Sequence, residues 1–375
     1  MLSAHDFAVL PWDWPAGGQE MFDQIRDCGF NLAGFVKPEH LDQVRQAGLA
    51  GIVSDPSTHV GDAEAELGPD EVARRVKALV ARVNNHPAAF GYYLRDEPGM
   101  KAFAGLSRWT EAYRAAAPQA LTYINLFPNY ATPEQLNAQS YSEYLREFVR
   151  VVRPRYISYD HYAIMHEQPL REGYFPNLEA VRGLALEQGI PFWNIVLANG
   201  HFDYAEPSPA SLRFQLYTTL AYGARGISYF TYFAPKVGNY RLAPVDQFGH
   251  KTPTWDMLRN VNLQLHQLGP VYIGLKSLNV FHHPNVPPDC RGMETSLLVD
   301  QLSGADLLVG EFENALGRPY ALVVNKSLRH STSFGLAFKQ AGPIHLINAY
   351  NGRKEPWAGE NIWLAPGQGM LLGVD

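Results

Sequence analysis

The chain has 375 residues, 46% of them hydrophobic, and a formal charge of −6 from 37 acidic against 31 basic residues. That is an ordinary globular composition with room for a large core, and without any run of five basic residues it speaks against a binder of phosphate backbones. The two cysteines, Cys28 and Cys290, exclude a zinc cluster with cysteine ligands, and no apolar run reaches the ~18 residues of a membrane span, so neither nucleic acid nor membrane is an expected partner.

The opening MLSAHDFAVLPW lacks a basic stretch followed by an apolar one, so no signal peptide is read and a cytoplasmic location is the default expectation. From residue 5 to about 268, short apolar runs alternate with longer amphipathic stretches. DFAVLPW (6–12), NLAGFV (31–36) and LAGIVSD (49–55) come first. Helical PDEVARRVKALVARVNN (69–85) leads to AFGYYLRD (89–96), and SRWTEAYRAAA (107–117) leads to LTYINLF (121–127). YISYDHY (156–162) and PFWNIVLA (191–198) follow. SLRFQLYTTLAYGA (211–224), with apolar residues three and four apart, precedes GISYFTYF (226–233). The strands are near-continuous apolar runs, as strands buried on both faces are. Eight strand–helix units in ~260 residues predict a (β/α)8 TIM barrel. The competing fold, a doubly wound sheet, would carry a G-x-G-x-x-G after its first strand, and none is present. After GPVYIGL (269–275) the pattern changes to TSLLVDQL, DLLVGEFEN, YALVVNKS, SFGLAF, IHLINAYNG and NIWLAP. These short runs between turn residues predict a small C-terminal antiparallel β-sandwich. The expected division is 1–270 for the barrel and 271–375 for the sandwich.

Functional residues of such barrels sit at the C-terminal ends of the strands. Those ends offer Trp12, Asp13 and Trp14, then Lys37, Asp55, Asp96, Glu97, Asn125 and Asn129. They continue with Asp160, His161, Tyr162, Asn194, Asn199, His201, Asp203, Tyr229 and Tyr232. Carboxylates supply acid, base and nucleophile; amides and imidazoles satisfy hydroxyls; Trp and Tyr faces stack on sugar rings. The set predicts a carbohydrate site without metal or cofactor. Trp12, Asp13, Asn125, His161, Tyr162, Asn194, His201 and Tyr232 are expected to line it.

AFGYYLRDEP (89–98) resembles the strand-4 segment of (β/α)8 glycoside hydrolases of the clan A type. LRFQLYTTLAYGARGISYFTYF (212–233) is similar to the helix-7 and strand-8 segment of β-galactosidase-like proteins related to glycoside hydrolase family 42. The resemblance implies cleavage of O-glycosidic bonds in an oligosaccharide or polysaccharide, with Glu97 as acid/base and Asp96 in place of the clan's Asn. The clan's nucleophile, a Glu at the end of strand 7, has no counterpart in WNIVLANGHFD. By analogy, a homo-oligomer is also implied.

Three pairings are open for the second catalytic group. In the leading one, Asp160 faces Glu97 across the sugar as nucleophile or base, a placement that resembles clan D. In the second, Asp96 orients the acetamido group of an N-acetylhexosamine while Glu97 protonates the leaving group. In the third, Glu97 works with Asp203 or Asp13 and a water. A carboxyl beside another carboxylate and aromatic walls holds its proton more tightly, which favours Glu97 as the acid throughout. Plainer readings stand beside these. The acids before Pro98 could cap the next helix. Asp160 and His161 could be a structural pair, Asp13 a cap, Asp55 a turn residue, and His201 and Asp203 surface residues. His282 and His283 read as an exposed turn. A non-catalytic carbohydrate-binding barrel is the rival from another class, and a metal-dependent isomerase or lyase the third.

Overall fold

The computed structural model describes residues 6–167, 170–357 and 362–375. Eight apolar runs pair as parallel strands: β1 (Ala8–Trp12), β2 (Leu32–Val36), β3 (Ala50–Val53), β4 (Ala89–Asp96), β5 (Leu121–Leu126), β6 (Ile157–Asp160), β7 (Phe192–Leu197) and β8 (Gly226–Phe230). Their order, β1-β8-β7-β6-β5-β4-β3-β2, is that of a sheet rolled on itself, the predicted barrel. Asn31 closes the seam between β1 and β2. Its backbone N–H donates to the Val9 carbonyl at 3.3 Å, its Nδ2 to the Phe7 carbonyl at 2.8 Å, and its Oδ1 accepts from the Val9 N–H at 2.8 Å.

Side chains alternate between the two faces of each strand. Leu10, Trp12, Ile52, Tyr93, Tyr123, Tyr156, Trp193 and Ile195 turn inward and fill the barrel. Their rings interlock, with Tyr156 and Trp193 centred 5.0 Å apart and Tyr123 and Trp193 5.9 Å apart. Val9, Leu94, Ile124, Ile157, Val196 and Ile227 turn outward into the core shared with the helices. The barrel is therefore a packed core, and chemistry has room only at its mouth.

The helix Pro209–Ala221 starts at a capping box between Ser208 and Ser211. A further helix, Pro253–Tyr272, begins after Thr252, whose hydroxyl accepts from the Thr254 N–H, and covers much of the segment read as GPVYIGL. Two antiparallel sheets follow. One is six-stranded, in the order β15-β14-β17-β12-β11-β9, and the other three-stranded, β10-β13-β16. The ranges are β9 Lys276–His283, β10 Val299–Gly304, β11 Leu307–Glu313, β12 Pro319–Asn325, β13 Thr332–Phe338, β14 Ile344–Ile347, β15 Lys354–Pro356, β16 Trp363–Leu364 and β17 Gly369–Val374. In NIWLAP, Asn361 lies outside the described residues.

The larger sheet is buried on both faces. Leu308, Phe312, Leu322, Val324 and Leu371 join the barrel's core, while Val309, Ala321, Val323 and Leu372 pack with the smaller sheet. Gly310 permits the close approach, since a Cβ there would lie 2.2 Å from the Ala221 carbonyl oxygen. His282 corrects the reading of an exposed turn. It is fully buried in β9, its Nε2 lies 3.0 Å from the Tyr222 hydroxyl, and its ring packs on Phe175.

Glu311 of β11 is buried, and among the described residues no cation pairs with it. Its carboxylate accepts from the N–H groups of Leu297, Leu298 and Val299 at 2.8, 2.7 and 2.9 Å, the Ser296 hydroxyl at 2.8 Å and the Asn279 amide at 2.9 Å. Burial pushes its pKa up, but these donors outweigh it and hold the carboxyl below its ordinary value. A depressed folded-state pKa stabilises above the unfolded value, about 4.3, and the gain fades as pH falls through the folded one. Glu311→Gln is expected to cost about 2–3 kcal/mol near neutral pH, the scale of charge-assisted bonds. It should cost less in acid. Denaturant titrations at about pH 7 and about pH 3 check this, and equal losses at both would assign the effect to shape alone.

Candidate active site

The site is built on the end of β4. Neighbouring residues of a strand point to opposite faces, so Asp96 and Glu97 would diverge if the strand continued. Instead Glu97 has φ of 43°, in the left-handed region that side chains other than glycine seldom occupy. The turn keeps both acids at the mouth. The Glu97 N–H donates to the Asn125 carbonyl at 2.9 Å, and its carboxyl is hydrogen-bonded to that of Asp160 at the end of β6. Asn125 of β5 joins the group. Its Nδ2 donates to Asp96 Oδ1 at 3.1 Å and to Asp160 Oδ1 at 2.9 Å, while its Oδ1 accepts from Ser158 at 3.0 Å. One amide thus ties two of the three carboxyls, and Ser158 fixes which way that amide faces.

The three acids differ in exposure. Asp160 is 3% exposed, beneath the others; Glu97 is half-buried; Asp96 is open to solvent although protein surrounds it, as at the floor of a cleft. Burial pushes the Asp96 carboxyl up to about 6, against the Asn125 amide and the Glu97 N–H. Burial, then the charge of Asp96, pushes Glu97 up to about 7, against the bond from Asp160. Burial and both neighbouring charges hold Asp160 well above the usual carboxylate range. Near neutral pH, Glu97 is poised between its forms and Asp96 is mostly an anion, while burial and the two neighbouring charges favour the protonated form of Asp160.

Aromatic side chains form two walls. On one side Trp14, 48% exposed, packs on Phe35 and Tyr93 with ring centres 4.7 and 5.6 Å away. Its Nε1 donates to Ser54 Oγ at 3.3 Å. On the other side Tyr162 stacks on Phe230 at 5.5 Å and meets Tyr204 edge-on, and His201 stacks on Tyr240 at 5.0 Å. A polar cleft of about 460 Å3 beside Glu97 is lined by Arg95, Lys101, Phe127, Gln135 and Asn137. A cavity of about 770 Å3, lined by Phe175, Phe214, Lys326 and His330, lies away from the carboxyls.

Of the expected lining residues, Asn125 and Tyr162 are at the mouth. Trp12 is not: it is 4% exposed and part of the barrel core. Asp13 is engaged elsewhere. Its Oδ2 accepts from the Thr231 hydroxyl at 2.9 Å and the Phe233 N–H at 2.7 Å, and its Oδ1 from the Trp14 N–H at 2.9 Å, so it braces the loop after β8 and the exposed tryptophan. His161, Asn194 and Tyr232 point away from the cleft, on the helix-facing side. His161 Nδ1 lies 3.0 Å from Asn177 Oδ1, and burial pushes its pKa down to about 3. Asn194 Nδ2 donates to Thr219 at 2.9 Å. The Tyr232 hydroxyl accepts from Trp255 Nε1 at 2.9 Å. Strand parity accounts for His161 and Asn194: inward Ser158 and Asp160 make His161 outward, and inward Trp193 and Ile195 make Asn194 outward. His201 is buried rather than a surface residue, bonded to Asn199 at 2.9 Å, and burial holds its pKa near 4. Asp203 is exposed. Neither Asp96 nor Glu97 caps the next helical turn, whose cap residue is Gly99. Asp55 is the turn residue expected, accepting from the Ser57 N–H at 3.0 Å and pairing with Arg82 at 2.6 Å. Phe35, Tyr93, Tyr130, Arg171 and Tyr204 were not among the sequence candidates.

A packed (β/α)8 barrel with a carboxyl cluster and aromatic walls at its mouth defines the class of this chain: a barrel that carries polar chemistry at its strand ends. Solved structures that share the fold include glycoside hydrolases. One is Gan42B, a family 42 β-galactosidase from G. stearothermophilus, at TM-score 0.62 and 8% identity over 99% of this chain and 98% of that one. Another is a glycoside hydrolase family 5 protein from Bacteroides vulgatus, at TM-score 0.60 and 13% identity over 98% of this chain and 89% of that one. The β-galactosidase of Marinomonas ef1 aligns at TM-score 0.55 and 11% identity over 72% of this chain, which spans 62% of that enzyme. No protein-family model and no curated protein sequence matches the chain. Among the described residues, no helix is long and apolar enough to cross a membrane.

Proposed function

We propose that this chain is a glycoside hydrolase acting on an oligosaccharide or polysaccharide, with Glu97 as the general acid. The observation that carries the reading is the trio of Asp96, Glu97 and Asp160 gathered on Asn125 between two aromatic walls, in a fold shared with named glycoside hydrolases. A group titrating near 7 both holds and releases a proton at neutral pH, which suits Glu97 to protonating a leaving oxygen. Asp96, anionic and reachable, then stabilises positive charge at the anomeric carbon, and directs either a water or an acetamido group of the substrate to it. Asp160 keeps its proton and holds Glu97 in place. This differs from the leading sequence expectation, in which Asp160 faces the sugar, because a carboxyl so little exposed has no open side toward a substrate. Tyr162 and the exposed Trp14 supply ring faces for sugar stacking.

The test is a panel of aryl glycosides and polysaccharides, with N-acetylhexosaminides included, assayed for sugar release. Release by the wild type is expected, and preference for the N-acetyl sugars would identify the acetamido route. Saturable sugar binding by calorimetry without any release would replace the hydrolase with a non-catalytic binding barrel.

A further inference from the structure

Resting on the glycosidase reading, we infer that Arg171 receives a carboxylate on the substrate, so that the preferred sugar is a uronic acid. Arg171 lies on the connection from β6 to the helix Tyr174–Gln188. Its guanidinium carbon sits 4.1 Å from the centre of the Tyr130 ring and 5.3 Å from that of Tyr204. Nη2 donates to the Tyr204 hydroxyl at 3.0 Å and touches Met165 Sδ at 3.7 Å. Nε is screened from solvent and has no partner.

Other arginines of this chain are satisfied differently. Arg108 and Arg225 donate to backbone carbonyls, of Ala65 and Leu67 and of Tyr272 and Leu275. Arg82, Arg95 and Arg291 pair with Asp55, Asp62 and Glu179. Among the described residues, Arg171 has neither a carbonyl nor a carboxylate. Glu167, Glu172 and Asp203 line the outer cleft with it, but they are exposed and none is within ion-pair distance. A guanidinium cannot accept a hydrogen bond, and its planar fork matches a carboxylate. Held on two rings with donors unused, it is preorganised for an anion that the protein itself does not provide.

Its place fits the substrate. Tyr130 carries Arg171 on its ring. Tyr204 meets Tyr162 at 5.6 Å, and the Tyr162 hydroxyl lies in the field of all three carboxyls. Through Tyr204, Arg171 is thus joined to the Tyr162 wall of the mouth. The cleft floor would repel an acidic sugar if fully ionised, and a cation at its edge offsets that repulsion.

The experiment compares 4-nitrophenyl β-glucuronide and β-galacturonide with the matching glucoside, galactoside and a sulfated galactoside. Wild type, Arg171→Met and Arg171→Lys are assayed, with melting curves to show that each is folded. The wild type is expected to favour a uronide over its neutral parent by at least roughly tenfold in kcat/KM. Arg171→Met should lower that ratio roughly 10–100-fold, as the loss of a charged hydrogen bond does, mainly through KM. Arg171→Lys, a cation without the fork, should fall between. Neutral sugars cleaved with no uronide preference, or a ratio unchanged in Arg171→Met, would overturn the inference while leaving the glycosidase reading intact. Preference for the sulfated sugar would overturn the carboxylate assignment. If nothing is cleaved, calorimetry with the methyl uronides decides. Binding weakened in Arg171→Met upholds the role of Arg171 without the hydrolase, and no binding by folded wild type rejects it.

Discussion

Glu97→Gln is expected to abolish cleavage of unactivated glycosides, by about 10²–10⁴-fold, the contribution of a positioned general acid. The amide keeps the shape of the side chain and can still bond to Asp160, but it has no proton to give. The loss should therefore depend on the leaving group. A dinitrophenyl glycoside departs without protonation and should lose far less than an alkyl glycoside. The wild-type rate should fall as pH rises through about 7, where Glu97 deprotonates, and the variant should lack that limb on the activated substrate. Stability gives an independent readout. The folded-state pKa of Glu97 is raised, so its contribution is fully present below the unfolded value and is lost as pH rises through about 7. The variant should accordingly melt no lower than wild type at about pH 8, because it no longer carries a desolvated charge. A rate within about threefold of wild type on alkyl glycosides would end the assignment, since the acid contributes at least about a hundredfold where it operates.

The barrel was legible because strands buried on both faces leave continuous apolar runs, and eight of them alternated with amphipathic stretches. Strand β9 was not, because KSLNVFHH carries Asn279 and two histidines, which read as a turn. Tertiary partners reverse that reading: Tyr222 bonds His282, and Asn279 donates to Glu311. At the site, Asp96, Glu97, Asn125, Asp160 and Tyr162 were legible as strand ends. The error with His161 and Asn194 was to take every polar residue near a strand end, when parity already separated the inward set from the outward one. Other features had no sequence signal. A glutamate in the left-handed region has no signature, and neither does an asparagine that bridges acids from two other strands. Arg171 and Tyr204 come from loops without periodicity and meet only because the connections after β6 and β7 fold together, as the bridge between Met165 and Tyr204 records.

Asp160→Asn and Asp96→Asn are expected to diverge. Asp160 is buried and its protonated form is favoured, so a neutral amide of the same shape mimics that form and keeps an acceptor for Asn125 and a donor for Glu97. The loss in kcat should stay within about tenfold, the scale of one altered neutral hydrogen bond, and the limb near pH 7 should remain. Asp96→Asn removes the anion facing the substrate, and about 10²–10³ in kcat should go with it, as when one preorganised electrostatic stabiliser is deleted. The limb should move as well. The charge of Asp96 is one of the forces raising Glu97, so without it Glu97 gives up its proton more readily and activity declines from a lower pH. Full pH–rate profiles of the two variants on one aryl glycoside check both points. The reverse pattern, with Asp160→Asn inactive and Asp96→Asn mild, would mean that substrate draws Asp160 out of its bond with Glu97 and into the cleft. The two carboxyls would then stand on strands 4 and 6 across the sugar, and Asn125, now donating to both aspartates, would be the hinge between the resting and the loaded site.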